Sequence, residues 1–114
     1  MGPKAKFKVL YSEEATDFLN SLDVKAKDKI LYNIKKSMYL NDPSLFKKLE
    51  GHEIWEFRTL YSGLQYRLFA FWDKDAETYV IATHGFVKKT QKTPAKEIAR
   101  AEEIMKEYFN DKNK

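Results

Sequence analysis

The 114-residue sequence has no cysteine, four glycines, three prolines and two histidines. Without cysteine there are no disulfides, no thiol nucleophile and no sulfur-ligated zinc. His52 and His84 have no second histidine at helical spacing, so no metal site is expected and any chemistry is expected to need neither metal nor other cofactor. No apolar run is long enough to cross a bilayer. No N-terminal stretch joins a charged start, an apolar segment of secretory length and a small-residue cleavage site. The expectation is a cytoplasmic protein with no membrane partner. So few glycines and prolines also argue against a low-complexity chain.

The chain is 43% hydrophobic, 15% aromatic and 33% charged, a composition suited to one compact domain with a modest core. Lysine and arginine number 21 against 17 aspartates and glutamates, a net charge of +4. That is mild for a nucleic-acid binder, so distribution matters more than the total. Lysines cluster at Lys25, Lys27 and Lys29, at Lys35 and Lys36, at Lys47 and Lys48, and at Lys88, Lys89 and Lys92. Many of the acids lie instead in the first and last helical segments.

The opening MGPKAK has no periodicity and is set aside as a disordered or expression-derived tail, residues 1–6. Residues 7–109 form the single expected domain, and 110–114 a polar C-terminal tail. The run FKVLY, Phe7 to Tyr11, alternates and is rich in aromatic and β-branched residues, as a strand is. Ser12, followed by Glu13 and Glu14, starts a helix with Ala15, Phe18, Leu19 and Leu22 on one face. Asp23 caps a second helix with Ile30, Ile34 and Met38 at helical spacing, ended by Asn41-Asp42-Pro43. From Ile54 the period changes to two. Residues 54–61, 65–73 and 78–86 read as an antiparallel meander with turns at Ser62-Gly63 and at KDAE, residues 74–77. Thr93 as cap and Pro94 in the first turn then open a last helix with Ile98, Ala101, Met105 and Tyr108 as its buried stripe. The expected fold is α+β, in the order β-α-α-β-β-β-α. Its antiparallel sheet carries a helical hairpin on one face and leaves the other partly open.

Alternation along strands puts Ile54, Glu56, Arg58 and Leu60 on one face of the first meander strand. It puts Gln65, Arg67, Phe69 and Phe71 together in the next, and Val80, Ala82, His84 and Phe86 together in the last. In simple register, Arg58, Arg67 and His84 converge near one end of the sheet beside Lys88 and Lys89. Such a set suits phosphodiester chemistry on RNA. Arginine forks and lysines stabilise the charge of a pentacoordinate phosphate. A histidine, a carboxylate or a lysine of depressed pKa exchanges the protons. Tyr66, Trp72 and Phe86 could stack on an unpaired base. The 2′-hydroxyl of RNA supplies the nucleophile. Each residue also has a plainer reading: Glu56 and Arg58 as partners in ion pairs, Arg67 as a snorkelling edge residue, His84 as a strand end, and the lysine run as a solvated face.

The segments LEGHEIWEFRTLYSGLQYRLFAF and THGFVKKTQKTPAKEIARAEEIMKEY, in that order and spacing, resemble the RelE/HigB toxins of type II toxin-antitoxin modules. The likeness is to their phage-derived, HigB-like branch, within the RelE/ParE-like fold. The resemblance implies a toxin that cleaves messenger RNA on the ribosome and is held inactive by a cognate antitoxin, expected to be of helix-turn-helix type. Arg58 and Arg67 fall on sheet positions that bind the scissile phosphate in the family, and Lys88 and Lys89 on its basic segment after the last strand. His84 lies near the place where some relatives hold a proton donor. Glu56 stands where the best-known pattern has a lysine, and a long closing helix replaces a short tail, so the base is open between Glu56 and a lysine from Lys47 or Lys48. The catalytic set is thus Arg58, Arg67, Lys88, His84 and Glu56, and the RNA-binding set Lys47, Lys48, Tyr66, Phe86, Lys89 and Lys92. The alternatives are a ParE-like inhibitor of DNA gyrase without nuclease activity, and a non-toxic phage-derived binding domain.

Overall fold

A computed structural model describes residues 2–75 and 78–113. Ala76 and Glu77 of the expected KDAE turn, and Met1 and Lys114 of the expected tails, lie outside the described residues. The elements are β1 (Lys8–Tyr11), α1 (Glu13–Asn20), α2 (Val24–Ser37), β2 (Phe46–Lys48), β3 (Trp55–Tyr61), β4 (Leu64–Asp73), β5 (Tyr79–Lys88) and α3 (Ala95–Lys112). The fold is α+β, as the alternation of periods requires.

Both early helices start at the expected caps. The Ser12 side chain accepts the Ala15 amide at 3.0 Å, and Asp23 Oδ1 accepts that of Ala26 at 3.0 Å. The start of α3 differs. Pro94 occupies the cap position and no side chain bonds the free amides there, so Thr93 does not cap. Proline fixes a backbone angle compatible with a helix start, and the missing hydroxyl bond is not needed for the turn to form. Residues 110–112 continue α3, where Lys112 meets the Asp73 carboxylate at 2.6 Å beside a 2.7 Å bond from the Tyr108 hydroxyl.

One five-stranded sheet runs in the order β1-β5-β4-β3-β2. The meander β3-β4-β5 is antiparallel, whereas β1 joins β5 in parallel, so the sheet is mixed. The added strand β2 pairs antiparallel with β3, Phe46 opposite Phe57 and Lys47 opposite Glu56. Three residues are too few for a period to show.

A one-residue bulge in β5 changes the faces. Phe69 pairs with His84 but Ala70 pairs with Ala82, which leaves Thr83 between them. Thr83 is fully buried and its hydroxyl donates to the Phe69 carbonyl at 3.2 Å. His84 and Phe86 therefore do not share a face with Val80 and Ala82, contrary to simple alternation. Val80 and Ala82 pack under α1 and α2 with Leu19, Ile30, Ile34, Phe57 and Leu68. The opposite face holds Ile54, Phe69, Phe71 and Ile81 beneath Ala101, Ile98, Met105, Tyr108 and Phe109. Each large side chain fully buried this way contributes about 1.5–3 kcal/mol. Helix α3 thus covers the part of that face which architecture alone would leave open, and the stretch toward the β3-β4 turn carries polar side chains instead.

Candidate functional site

Cross-strand neighbours on β3 and β4 place Arg58 directly opposite Arg67. Like charges in that relation are destabilising unless something lies between them. Here it is Glu56, whose side chain is 4% exposed: its carboxylate is 3.4 Å from Arg58 Nε and 3.7 Å from Arg67 Nε. Arg67 is as deeply buried, with Nη1 donating to the Tyr66 carbonyl at 3.1 Å and Nη2 to Gln65 Oε1 at 2.7 Å. The guanidinium is therefore held on three sides before any ligand arrives. Glu56 Oε2 and the Nε atoms of both arginines are buried and make no hydrogen bond, so the ion pairs leave bonding capacity unused.

Lys88 stands opposite Gln65 on β5, hence on the same face, and Lys47 opposite Glu56 on β2. Partial burial and then the Arg67 charge push the Lys88 ammonium below the ordinary lysine range. Burial likewise lowers Arg67, against the pull of Glu56. Four cations surround one carboxylate, leaving a positive field in partly dry surroundings. Two small grooves open beside it. One of about 220 Å³ is lined by Ser44, Arg58, Leu60, Gln65 and Arg67. The other, of about 430 Å³, is lined by Gly63, Gln65, Lys88, Lys89 and Gln91. A larger groove of about 700 Å³ lies at the far end of the sheet among Lys48, Glu53, Trp55, Trp72 and Asp75. Its charges are of both signs, so size there does not bring the convergence of one sign that anion binding requires.

The structure brings together Glu56, Arg58, Arg67, Lys88 and Lys47, and sets the other expected residues apart. His84 lies beside Phe69, which separates it from Glu56, and its Nε2 is 3.3 Å from Glu97 of α3. Burial lowers its pKa although Glu97 pulls the other way, so the ring is mainly neutral at pH 7. Tyr66 is buried on the hairpin face and is a core residue. Trp72 packs on that face too, edge-on to Phe7 and Trp55. Lys48 faces away from its neighbour Lys47, opposite Trp55, and pairs with Glu53 at 3.8 Å. Phe86 sits opposite Arg67, half-buried and edge-on to Phe69. Lys89 and Lys92 are exposed in the segment after β5. Two contributors went unassigned in the sequence: Gln65, which alternation already put beside Arg67, and Glu97, for which only tertiary packing gives a signal. Among the described residues no group of histidine and carboxylate side chains could hold a metal ion.

A mixed sheet clad by helices on both faces, with a cationic cluster where the cladding ends, defines a small α+β protein. Residues 17–106 match the family described as phage derived protein Gp49-like, and the chain belongs to that family. No curated protein matches the sequence. No helix among the described residues is long and apolar enough to cross a membrane.

Proposed function

We propose that the protein is the toxin of a type II toxin-antitoxin module, a metal-independent endoribonuclease of RelE/HigB type that cuts messenger RNA on the ribosome and is restrained by a cognate antitoxin. The observation that carries this reading is the pairing of Arg58 with Arg67 over buried Glu56, with Lys88 alongside. Two held guanidinium groups offer forked donors to a phosphate whose charge grows as the 2′-oxygen attacks. The 2′-oxygen to phosphorus bond forms as the phosphorus to 5′-oxygen bond breaks. Lys88 gives its proton to the departing oxygen, the 2′-hydroxyl proton passes to water, and the products are a cyclic phosphate and a 5′-hydroxyl.

The surroundings favour Lys88 for the proton over the other candidates. Glu56 is enclosed, with one carboxylate oxygen turned to Arg58 and the other to Arg67. His84 is turned to Glu97. Lys88 is accessible and its proton is loosened by its surroundings.

The test is brief expression in a bacterium followed by mapping of new transcript ends, with wild type beside Lys88→Ala and Arg67→Ala. New ends within translated codons, reduced about 100-fold or more in Lys88→Ala, are the expected result. Arg67→Ala should lose the same activity, but it also leaves Glu56 under-compensated in the sheet, so its folding needs to be checked by circular dichroism. DNA damage without new transcript ends would point to gyrase inhibition instead. Cutting by a folded Lys88→Ala protein at the wild-type rate would remove Lys88 from the mechanism.

A further inference from the structure

Lys88 and Arg67 are diagonal neighbours on one face of the sheet. Arg67 stands opposite Phe86, and Lys88 is two residues further along β5, opposite Gln65. Such diagonal positions lie about 7–8 Å apart at the backbone, within reach of two long side chains. Gln65 joins them: its Oε1 accepts from Arg67 Nη2 at 2.7 Å, and it lines both the groove that holds Arg58 and Arg67 and the groove that holds Lys88 and Lys89. An anion seated on the arginines therefore has the Lys88 amine at its border. The charges that act on that amine are Arg67, Glu56, Arg58 and Lys47, from the strands packed beside β5 and beyond. Partial burial and then Arg67 lower its proton affinity against the pull of Glu56, so more of it is free amine at neutral pH than of a fully solvated lysine. A lysine desolvated beside another cation has the character of a nucleophile.

We propose that Lys88 is an acylation site whose donor is a small acyl phosphate, held by its phosphate on Arg58 and Arg67 with its acyl carbon turned to the Lys88 nitrogen. The phosphoryl oxygens suit the forked donors of a guanidinium. The acyl carbon is one bridging oxygen away from the phosphorus, so docking the phosphate carries the electrophile to the amine. The nitrogen lone pair forms a bond to the acyl carbon, and the bond from that carbon to the bridging oxygen breaks. Inorganic phosphate leaves with the electron pair, and the proton lost by the nitrogen passes through water to it. The arginines that held the donor stabilise the charge gathering on the departing phosphate. The product is an amide with neither the charge nor the acidic proton of lysine. Acylated Lys88 cannot protonate the departing 5′-oxygen, so the modification silences cleavage. That silencing rests on the nuclease reading above, whereas the acylation rests on the arrangement of the arginines and the amine alone.

The intact protein is incubated with acetyl phosphate at neutral pH, and acetylation of each lysine is followed by peptide mass spectrometry. Lys88 is expected to react about tenfold or more faster than Lys89, its exposed neighbour in the chain. Inorganic phosphate, which competes for the arginines, should slow Lys88 and leave Lys89 unchanged. The N-hydroxysuccinimide ester of acetate has no phosphate to dock and should lose most of the preference. Lys88 reacting no faster than Lys89, a lead undiminished with the ester, or a lead indifferent to inorganic phosphate would each overturn the proposal. Treated and untreated protein are then compared for cutting of messenger RNA on ribosomes. Cutting should fall in proportion to Lys88 acetylation, and undiminished cutting by acetylated protein would overturn the silencing. Selective acetylation of an untreated protein that cuts nothing would refute the nuclease reading and leave the acylation site standing. Cutting by a protein whose Lys88 shows no selective acetylation would do the reverse.

Discussion

Gly85 illustrates how a residue's meaning changes once its neighbours are known. A glycine two residues after a threonine at the apparent end of a strand reads as an exit from the sheet, but β5 continues to Lys88. What requires glycine is α1. A Cβ at position 85 would lie 2.2 Å from one Phe18 ring carbon and 2.8 Å from a Leu68 methyl, distances at which something must move. Its backbone is ordinary, so the constraint is packing alone. Gly85→Ala should cost about 1–3 kcal/mol, as overpacking does. Denaturant melts of Gly85→Ala, Phe18→Leu and the double variant check this: the two changes should be less than additive, because the smaller side chain makes room for the methyl. Full additivity would place the strain elsewhere.

At the scale of elements, the helices and the meander were legible because each repeats its period several times. Ser12 and Asp23 mark true starts, and the stripe Ile98, Ala101, Met105, Tyr108 is the one α3 buries. What escaped was short or depended on pairing. β2 has three residues, and the Thr83 bulge reverses the alternation of β5 without leaving a trace in composition. For the site this mattered unevenly. Arg58, Arg67 and Glu56 were placed together by alternation on regular strands. His84 lies just past the bulge, and its partner Glu97 comes from an element distant in sequence.

That partnership fastens the start of α3 to the sheet. Around the His84 ring are the Thr83 hydroxyl, 3.1 Å from Nδ1, and Glu97, with the charges of Glu14 and Arg100 beyond. Burial outweighs the carboxylates, so the folded-state pKa lies below the unfolded value of 6.5. Between those two values the unfolded chain binds more protons than the folded one, and stability falls as the pH drops through that window. Melting temperatures taken from about pH 7 down to about pH 5 should decline more steeply in wild type than in His84→Gln, which cannot protonate. Parallel curves would show that His84 does not govern the acid response of this end of α3.

For the molecule as a whole, the cationic cluster is a place where the folded state is less than fully compensated, and its stability should respond to what binds there. Glu56 moderates the repulsion between Arg58 and Arg67, so Glu56→Gln keeps the shape and removes that moderation. The variant should melt lower than wild type at low salt, because directly opposed like charges lose their screen. An anion that binds only the folded protein stabilises it by RT ln(1 + [L]/Kd). With the carboxylate gone the field at the site is more positive, so inorganic phosphate should bind more tightly and recover a larger part of the melting temperature in Glu56→Gln than it adds to wild type. Chloride at matched ionic strength separates occupancy from general screening. A larger rise with phosphate than with chloride in Glu56→Gln identifies the pair of arginines as an anion site independently of any cleavage. Equal rises with both salts would mean that the opposed guanidinium groups are eased by ionic strength alone, and the assignment of this cluster as a phosphate-binding centre would fail.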